Sequence, residues 1–450
     1  MTLAQAARYC GGTYRGPGEA LGNMIRGIAT DNRRVEPGYL FVALRGERFD
    51  GHDFIPAAYE AGAACCLTER ALAAELPQIL VRDTLEAVQA LAEAYKAQFP
   101  VTTVGITGSV GKTTTKEMIA GVLGQRFRVC KSQGNFNNQL GVPLTLFQLA
   151  QGDEVAVVEM GTNHFGEIRN LARMARPDLC VLTNIGISHI EHLGSREGIL
   201  RAKCEMLEYL RPGGRVFVNG DDDLLRTLRE GRGDVTSFGL SPANDIYADG
   251  LEARGLEGTA FTAHFEGQTA AFFVPAPGEH MVYNALAALA AGRACGMEVA
   301  EIRRGIAAYA PISGRMCIEK RDGLTVLNDV YNANPGSMMA AIDVMGYAQG
   351  RKVCVLGDML ELGPEGPRYH REVGRHAGER GMDLVLCVGP LARSLYEGVR
   401  ECGGEAQHFA AQEELLAALP GLVRPGDTIL VKASRGMHLE HTVNRLLGRD

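Results

Sequence analysis

Apolar residues run almost unbroken through several short stretches of this chain, and a glycine-rich or polar segment closes each one. Val101 to Ile106, Glu154 to Met160 and Leu179 to Ile185 have the length and continuity of strands buried on both faces, the mark of a parallel sheet. A glycine-rich loop follows the first of them, and Lys112 to Leu123 then has helical composition. Arg215 to Val218 reads as another strand, and Arg201-Ala202-Lys203-Cys204-Glu205 as the opening of a helix. From Asp245 to Val274 short runs are punctuated by Gly250, Gly255, Gly258 and Gly267, which predicts an antiparallel region. Met281 to Ala291 is an alanine-rich helix.

The same alternation appears before and after this block. Upstream, Tyr39 to Leu44, Ala63 to Leu67 and Ile79 to Val81 read as strands, with helices over Phe54 to Ala61 and Thr84 to Ala97. Downstream, strands at Leu324 to Leu327, Lys352 to Leu356, Leu384 to Val388 and Thr428 to Val431 are accompanied by helices at Ser337 to Tyr347 and Tyr369 to Arg380. Phe99-Pro100 and Pro311 to Arg315 read as boundaries. The expected fold is therefore α/β in three domains. These are a small N-terminal α/β unit (1–98), a central P-loop-type parallel sheet with an added antiparallel region (99–311), and a C-terminal Rossmann-like unit (312–450).

A chain of 450 residues with 46% hydrophobic and 22% charged residues has material for several cores. A net charge of −7 argues against a nucleic-acid partner or an acidic membrane surface, so anionic ligands need local basic sites. No apolar run is long enough to span a bilayer and no signal peptide precedes the first domain, so a cytoplasmic protein without membrane insertion is expected. The 11 cysteines are scattered without a C-x-x-C pair, which fits reduced thiols.

Chemistry concentrates where strands end. Thr107, Gly108, Ser109, Val110, Gly111, Lys112, Thr113 and Thr114 join a strand to a helix, the arrangement in which backbone N–H groups and a lysine cradle polyphosphate and a threonine hydroxyl meets Mg²⁺. The generic spelling G-x-x-x-x-G-K-S/T is only partly met, since Ile106 stands where its first glycine belongs. A glycine-rich turn without a ligand stays open on these residues alone. Glu159 and His189 end or follow the other two strands, at the sheet edge where ligands of parallel sheets bind. Each fits a structural hydrogen-bonding role by itself; together with Lys112 and Thr113 they point to Mg²⁺. Ser132 to Pro143 is rich in amides and glycine, and its Asn135, Asn137 and Asn138 suit phosphate or carboxylate oxygens. The polar loop from Arg45 to Asp53 carries Gly51, where backbone could approach a ligand, or is simply a solvated connection.

Taken together, several stretches resemble the Mur ligases, ATP-dependent amide-forming enzymes of peptidoglycan precursor synthesis. They are Thr107-Gly108-Ser109-Val110-Gly111-Lys112-Thr113, Gly134-Asn135-Phe136-Asn137-Asn138, Glu159-Met160-Gly161-Thr162-Asn163-His164, Thr183-Asn184-Ile185-Gly186, Asp329-Val330-Tyr331-Asn332-Ala333-Asn334-Pro335 and Leu356-Gly357-Asp358-Met359-Leu360-Glu361-Leu362-Gly363. The family's phosphate loop, T-G-S/T-x-G-K-T, accounts for the displaced Gly105. Three departures stand out: Asn32 between Asp31 and Arg33 where serine is common, Ala433 where glycine is usual, and Met281 where asparagine is frequent.

The resemblance implies that ATP, UDP-MurNAc-tripeptide and D-alanyl-D-alanine yield the pentapeptide, ADP and phosphate. It implies that Lys112 and its loop bind ATP, with Asn284, Arg315, Asp329 and Asn334 completing that site. Two Mg²⁺ ions are expected, one at Thr113 and Glu159 and one at His189. Ordinarily Lys203 would be a solvated lysine, but the resemblance makes it a carbamylated metal ligand and, with Lys112 and His189, a catalytic residue. The muramyl substrate is expected along Asp31, Arg33, Arg45, Phe49, Asp50, Gly51, His52, Asn135, Asn137 and Asn138, with Tyr331, Asn332, Ser434 and Arg435 on the peptide and dipeptide side. A monomer suffices for three domains around one cleft. A non-catalytic P-loop switch and a ligase adding another amino acid, to a muramyl or a folyl substrate, remain as alternatives.

Overall fold

Thr102–Thr107 finds partners on both edges, which places it in the interior of a nine-stranded sheet. The computed structural model describes residues 1–46, 49–73 and 75–449 of the chain. Val155–Glu159 and Leu179–Leu182 flank Thr102–Thr107 in parallel, with Ile106 opposite Glu159 and Thr107 opposite Leu182. Val129–Lys131 extends the sheet on one side; Arg215–Asn219, Val235–Gly239 and Ile246–Ala253 extend it in parallel on the other. Thr259–Phe265 and Gln268–Val274 then add antiparallel strands. The glycine-punctuated region is thus the far wing of the same sheet.

Both faces of the sheet are covered, as continuous apolar strands require. Lys112–Leu123, Glu279–Ala294 and Val299–Ala307 lie on one side, where Val104, Ile106, Ile119, Val122, Leu286 and Leu289 share a core. Gly305 makes this packing possible, because a Cβ there would stand 2.4 Å from Val122 Cα. On the other side Glu167–Ala175 and Arg196–Cys204 bury Leu171 and Ile199 against Val158.

The N-terminal sheet has five strands: Gly27–Ala29, Tyr39–Val42, Cys65–Thr68 and Gln78–Leu80 in parallel, with Thr13–Arg15 antiparallel at the edge. Its helix Thr84–Lys96 packs against the central domain, where Tyr95 Oη donates to the Leu149 carbonyl at 2.9 Å and Glu93 pairs with Arg173. The C-terminal sheet has six strands, five of them parallel, in the order Cys317–Arg321, Leu324–Asn328, Asp427–Lys432, Arg351–Gly357, Leu384–Val388 and Ala406–Phe409. Among the described residues no helix is long and apolar enough to cross a membrane.

One expected element is shifted. Arg201 to Glu205 closes a helix instead of opening one: Arg196–Cys204 begins at Ser195, whose side chain caps the N–H of Gly198. The start signal is the serine, followed by Glu197 in the first turn where the helix dipole favours an acid. Lys203 consequently sits in the last turn and points inward, 2% exposed.

Inside the C-terminal domain His370 is fully buried, its Nε2 accepting from the Met359 N–H at 2.8 Å and its Nδ1 lying 2.7 Å from the Gly366 carbonyl. Burial lowers its pKa, outweighing the Gly366 contact, so the ring folds neutral. Below about pH 6.5 the unfolded chain then binds more protons than the folded one, and stability falls as pH drops through the folded pKa. His370→Gln should cost about 1–3 kcal/mol above neutral pH. It should also flatten the acid limb of a stability–pH profile measured by urea unfolding; an unchanged acid limb would assign that limb to other groups.

Candidate active site

The loop after Thr102–Thr107 turns through two glycines in conformations other residues rarely adopt. Gly108 has φ +153° and a Cβ there would fall 1.9 Å from Thr183 Oγ1; Gly111 has φ +82° immediately before the helix. The segment from Thr183 to Gly186 braces the loop from the neighbouring strand. Val110 donates its N–H to Asn184 Oδ1 at 2.9 Å, and the Val110 carbonyl accepts from Thr183 Oγ1 at 2.6 Å and Asn184 Nδ2 at 3.1 Å. Ser109 Oγ accepts the Gly186 N–H at 2.9 Å. A pre-shaped ring of backbone groups at a helix N-terminus is an anion cradle. Lys112 arches over it, its Nζ 2.7 Å from the Gly108 carbonyl, with its pKa lowered by burial and by Arg315 against the opposing pull of Glu159.

Glu159 ends the adjacent strand at 1% exposure. Its Oε1 accepts from Thr113 Oγ1 at 3.2 Å and Asn137 Nδ2 at 2.8 Å. Its Oε2 is buried without a hydrogen bond, and Lys116 Nζ stands 3.9 Å away. Leaving an acceptor unmet at that depth costs on the order of 1–3 kcal/mol, so the oxygen suits an incoming cation. A hydroxyl and a carboxylate oxygen beside a phosphate cradle are the donors a hard ion such as Mg²⁺ prefers. Thr113 and Glu159 therefore fit the ion that the sequence leads one to expect.

Arg315 reaches this centre from the domain joint. Its Nη2 donates to Thr113 Oγ1 at 3.0 Å, and its guanidinium lies 3.9 Å from the centre of the Tyr331 ring. Its buried Nε has no partner and remains a donor for an anion. Around these groups a cleft of about 1140 Å³ opens between the central and C-terminal domains. Asn284, His280, Asp329, Tyr331, Asn332, Asn334, Asn137, Asn138 and His189 all line it.

Several lining residues already have work within the chain. Asp329 accepts from Lys432 Nζ at 2.6 Å, Thr115 Oγ1 donates to Asn284 Oδ1 at 2.8 Å, and Asn334 caps the helix Pro335–Met345 while its Nδ2 donates to Ser188 Oγ at 2.7 Å. His189, at φ +59°, places Nδ1 2.6 Å from Glu361 of the C-terminal domain, and this contact holds the Glu361 carboxyl below its usual range. His189 and Lys203 are not brought into a ready cation site: among the described residues no three His, Cys, Asp or Glu side chains converge to hold a metal. Lys203 does not line the cleft, but it is buried and has no hydrogen bond or ion pair among the described residues. Burial, then the charge of Lys112, push its amine well below the ordinary lysine range.

The N-terminal candidates stand apart from the cleft, to which that domain contributes Leu85. Asp31 and Arg33 form an exposed pair, and Phe49 is 71% exposed. Arg45 lies near Glu69 at 3.2 Å, and Glu47 and Arg48 of that loop lie outside the described residues. Gly51 is required by the chain itself, since a Cβ would meet the Leu44 carbonyl at 2.6 Å. His52 is locked between Asp50 and the Glu69 N–H. Ser434 is buried, with its Oγ accepting the Leu360 N–H at 2.9 Å. Asn135 and Arg435 lie exposed, outside the cleft lining. Sequence reasoning placed Asn184 in a family-like stretch without a role and gave none to Lys116 or Lys432. A lysine ending the buried strand Asp427–Lys432 was the visible signal for the last.

Three family models match: the Mur ligase family catalytic domain over residues 24–96, the Mur ligase middle domain over 106–292, and the Mur ligase glutamate ligase domain over 314–435. The chain is 41% identical to the UDP-N-acetylmuramoyl-tripeptide–D-alanyl-D-alanine ligase of Bacillus subtilis (strain 168), covering 99% of this chain and 98% of that protein. A crystal structure of MurF from Acinetobacter baumannii superposes with a TM-score of 0.92 at 33% identity, over 99% of this chain and 98% of that one. The MurF ligase of Thermotoga maritima in complex with ADP superposes with a TM-score of 0.84 at 28% identity, over 94% and 97%.

The bracing of the loop gives a test. Asn184→Ala removes both side-chain bonds to Val110, so it should lower ADP affinity about tenfold and stability by about 1–3 kcal/mol. Calorimetric titration with ADP measures the first, and unchanged affinity would show that the loop holds its shape without Asn184.

Proposed function

The chain belongs to the Mur ligase family, and from that membership we propose how its cleft works. It is an ATP-dependent ligase that joins D-alanyl-D-alanine to UDP-MurNAc-tripeptide, giving UDP-MurNAc-pentapeptide, ADP and phosphate in peptidoglycan precursor synthesis. The observation that carries the reading is the meeting of Lys112, Thr113, Glu159 and Arg315, from two domains, beside the Tyr331 to Asn334 wall.

A carboxylate resists attack by an amine because it is already an anion with no good leaving group. Transfer of the γ-phosphoryl group to a carboxylate oxygen of the tripeptide releases ADP and leaves an acyl phosphate. The dipeptide amine then attacks the acyl carbon, loses a proton, and expels phosphate. Such transfer depends mainly on positioning and on stabilising the charge of the moving group. The amides from Gly108 to Thr113 and the Lys112 ammonium hold the β- and γ-phosphates, and Arg315 supplies a second cation from the opposite wall. Thr113 and Glu159 would hold a Mg²⁺, which when bound neutralises phosphate charge.

His189, through the ring nitrogen that Glu361 leaves free, and Lys203 would hold a second Mg²⁺ once the lysine is carbamylated. That modification needs a neutral amine, which attacks CO₂ and loses a proton to become an anion; the depressed pKa of Lys203 supports it. The muramyl end lies along the asparagine loop toward the N-terminal stretch that carries Arg45 and His52, and the dipeptide near Tyr331, Asn332 and Arg435. The domains divide at 98/99 and 311/312. A single chain acting in the cytoplasm, where nucleotide-linked precursors are made, suffices.

Mass spectrometry of a reaction containing ATP, UDP-MurNAc-tripeptide and D-alanyl-D-alanine should find the pentapeptide with ADP and phosphate in equal amount. Equal turnover with a single free amino acid would overturn the dipeptide assignment. Lys112→Ala should stay folded and lose at least about a hundredfold in kcat, the scale expected for removing a cation from developing charge. Lys203→Ala should be folded and nearly inactive, with acetate restoring part of the rate. Full activity without acetate would return Lys203 to a structural role.

A further inference from the structure

Lys116 is fully buried, sits one helical turn beyond Lys112, and does not line the cleft. Its ammonium donates to the Ser132 carbonyl at 2.8 Å and the Gly134 carbonyl at 3.2 Å, and stands 3.0 Å from Glu117 Oε1. Burying an ammonium is unfavourable unless its partners are well placed, and a methionine of similar volume would fill a purely apolar slot at less cost. What the ammonium supplies is a fixed backbone: the carbonyls it draws in belong to the two ends of Ser132-Gln133-Gly134, directly before the asparagine loop.

From there the connection runs to the phosphate end of the cleft. Ser132 Oγ accepts the Glu159 N–H at 3.2 Å, Asn137 Nδ2 donates to Glu159 Oε1 at 2.8 Å, and the Asn137 carbonyl accepts the Gly161 N–H at 2.8 Å. Asn138 holds the Gly141 N–H with its Oδ1 at 2.8 Å and lines the cleft. Glu117 stays available to Lys116: burial pushes its pKa up, but hydrogen bonds from Lys131 and Lys116 outweigh this and keep it below the usual range.

We propose that Lys116 is a positioning residue, holding the asparagine loop in the shape that receives the muramyl substrate and coupling that loop to the phosphate-binding helix. The proposal rests on the reading that this loop carries the muramyl substrate, and its test separates the two ideas.

Affinities for UDP-MurNAc-tripeptide and for ADP are measured separately by calorimetry on the full chain, without turnover. Lys116→Met should weaken muramyl-substrate binding at least tenfold while ADP affinity changes less than about threefold. Loss of fold alone would instead reduce the binding-competent fraction for both ligands equally. Asn138→Ala serves as the control for the loop. If Asn138→Ala weakens muramyl binding and Lys116→Met does not, the proposal is overturned and the ligase reading stands. If neither weakens it, the placement of the substrate on this loop falls and the proposal with it. A second measurement needs no variant. In the unaltered protein, saturating UDP-MurNAc-tripeptide alone should slow hydrogen exchange over residues 132–141 and also over 113–118. Slowing confined to 132–141 would overturn the coupling.

Discussion

Glu159 is a carboxylate buried at the end of an apolar strand, and much of the surrounding structure follows from that placement. A buried acidic group needs donors, and here they come from two segments: Thr113 and, at longer range, Lys116 from the phosphate-binding helix, and Asn137 from the asparagine loop. Thr113 in turn accepts from Arg315 at the domain joint, so one carboxylate orders both sides of the cleft. The strand register is what permits this. Glu159 stands opposite Ile106, the residue before the loop begins, and the next strand delivers Thr183 and Asn184 to the other flank. A parallel sheet with its helices on both faces brings strand ends together at one edge without any residue-specific effort.

How much of this could be read beforehand depended on the range of the interactions. Lys112–Leu123 has the bounds its composition predicts, and the buried strands of the central sheet lie within a few residues of their apolar runs, because continuous burial writes itself into continuous sequence. Cys317–Arg321 and Ala406–Phe409 were invisible, since an edge strand faces solvent and reads as mixed polarity. The helix ending at Lys203 was misplaced because its start signal, Ser195, lies before a stretch with little apolar periodicity. At the site, the strand-end pattern pointed to Lys112, Thr113 and Glu159 and the family resemblance to Arg315, and the structure brings the four side chains together. Sequence could not reveal that His52, Ser434 and Asn334 spend their polar atoms on distant backbone or on a cap and a cross-domain bond. Those partners lie up to 146 positions away in the chain.

The contact between the central and C-terminal domains combines well-separated polar ties with a little apolar packing. Arg315 with Thr113, Asn334 with Ser188 and His189 with Glu361 each join side chains across the cleft, and Ile187 and Leu256 of the central domain pack against the C-terminal core. Of these, the half-exposed His189–Glu361 pair contributes little stability by itself. The N-terminal domain is attached differently, through the packed helix Thr84–Lys96 with Tyr95 and Gln89 bonded to the central domain. The C-terminal domain thus meets the central one across the cleft through these ties and a little apolar packing, whereas the N-terminal domain is joined through a packed helix.

Two buried lysines in the central domain show how environment assigns chemistry to one residue type. Lys116 and Lys203 are each at most 2% exposed and both lie on helices. Lys116 has two carbonyls and a carboxylate within 3.2 Å, so its charge is compensated and its geometry is fixed. Among the described residues Lys203 has neither a hydrogen bond nor an ion pair, and the Lys112 charge acts against it. An ammonium cannot persist cheaply in that place; the group must lose its proton, gain a partner, or be converted to something else. Losing the proton leaves a nucleophilic amine, and that amine lies within electrostatic reach of the cation-rich centre at Lys112 and Arg315. Burial by itself favours the neutral amine and penalises an ammonium and an anion alike; a negative charge at Lys203 would gain only through the attraction of the Lys112 ammonium, which the unmodified cation repels.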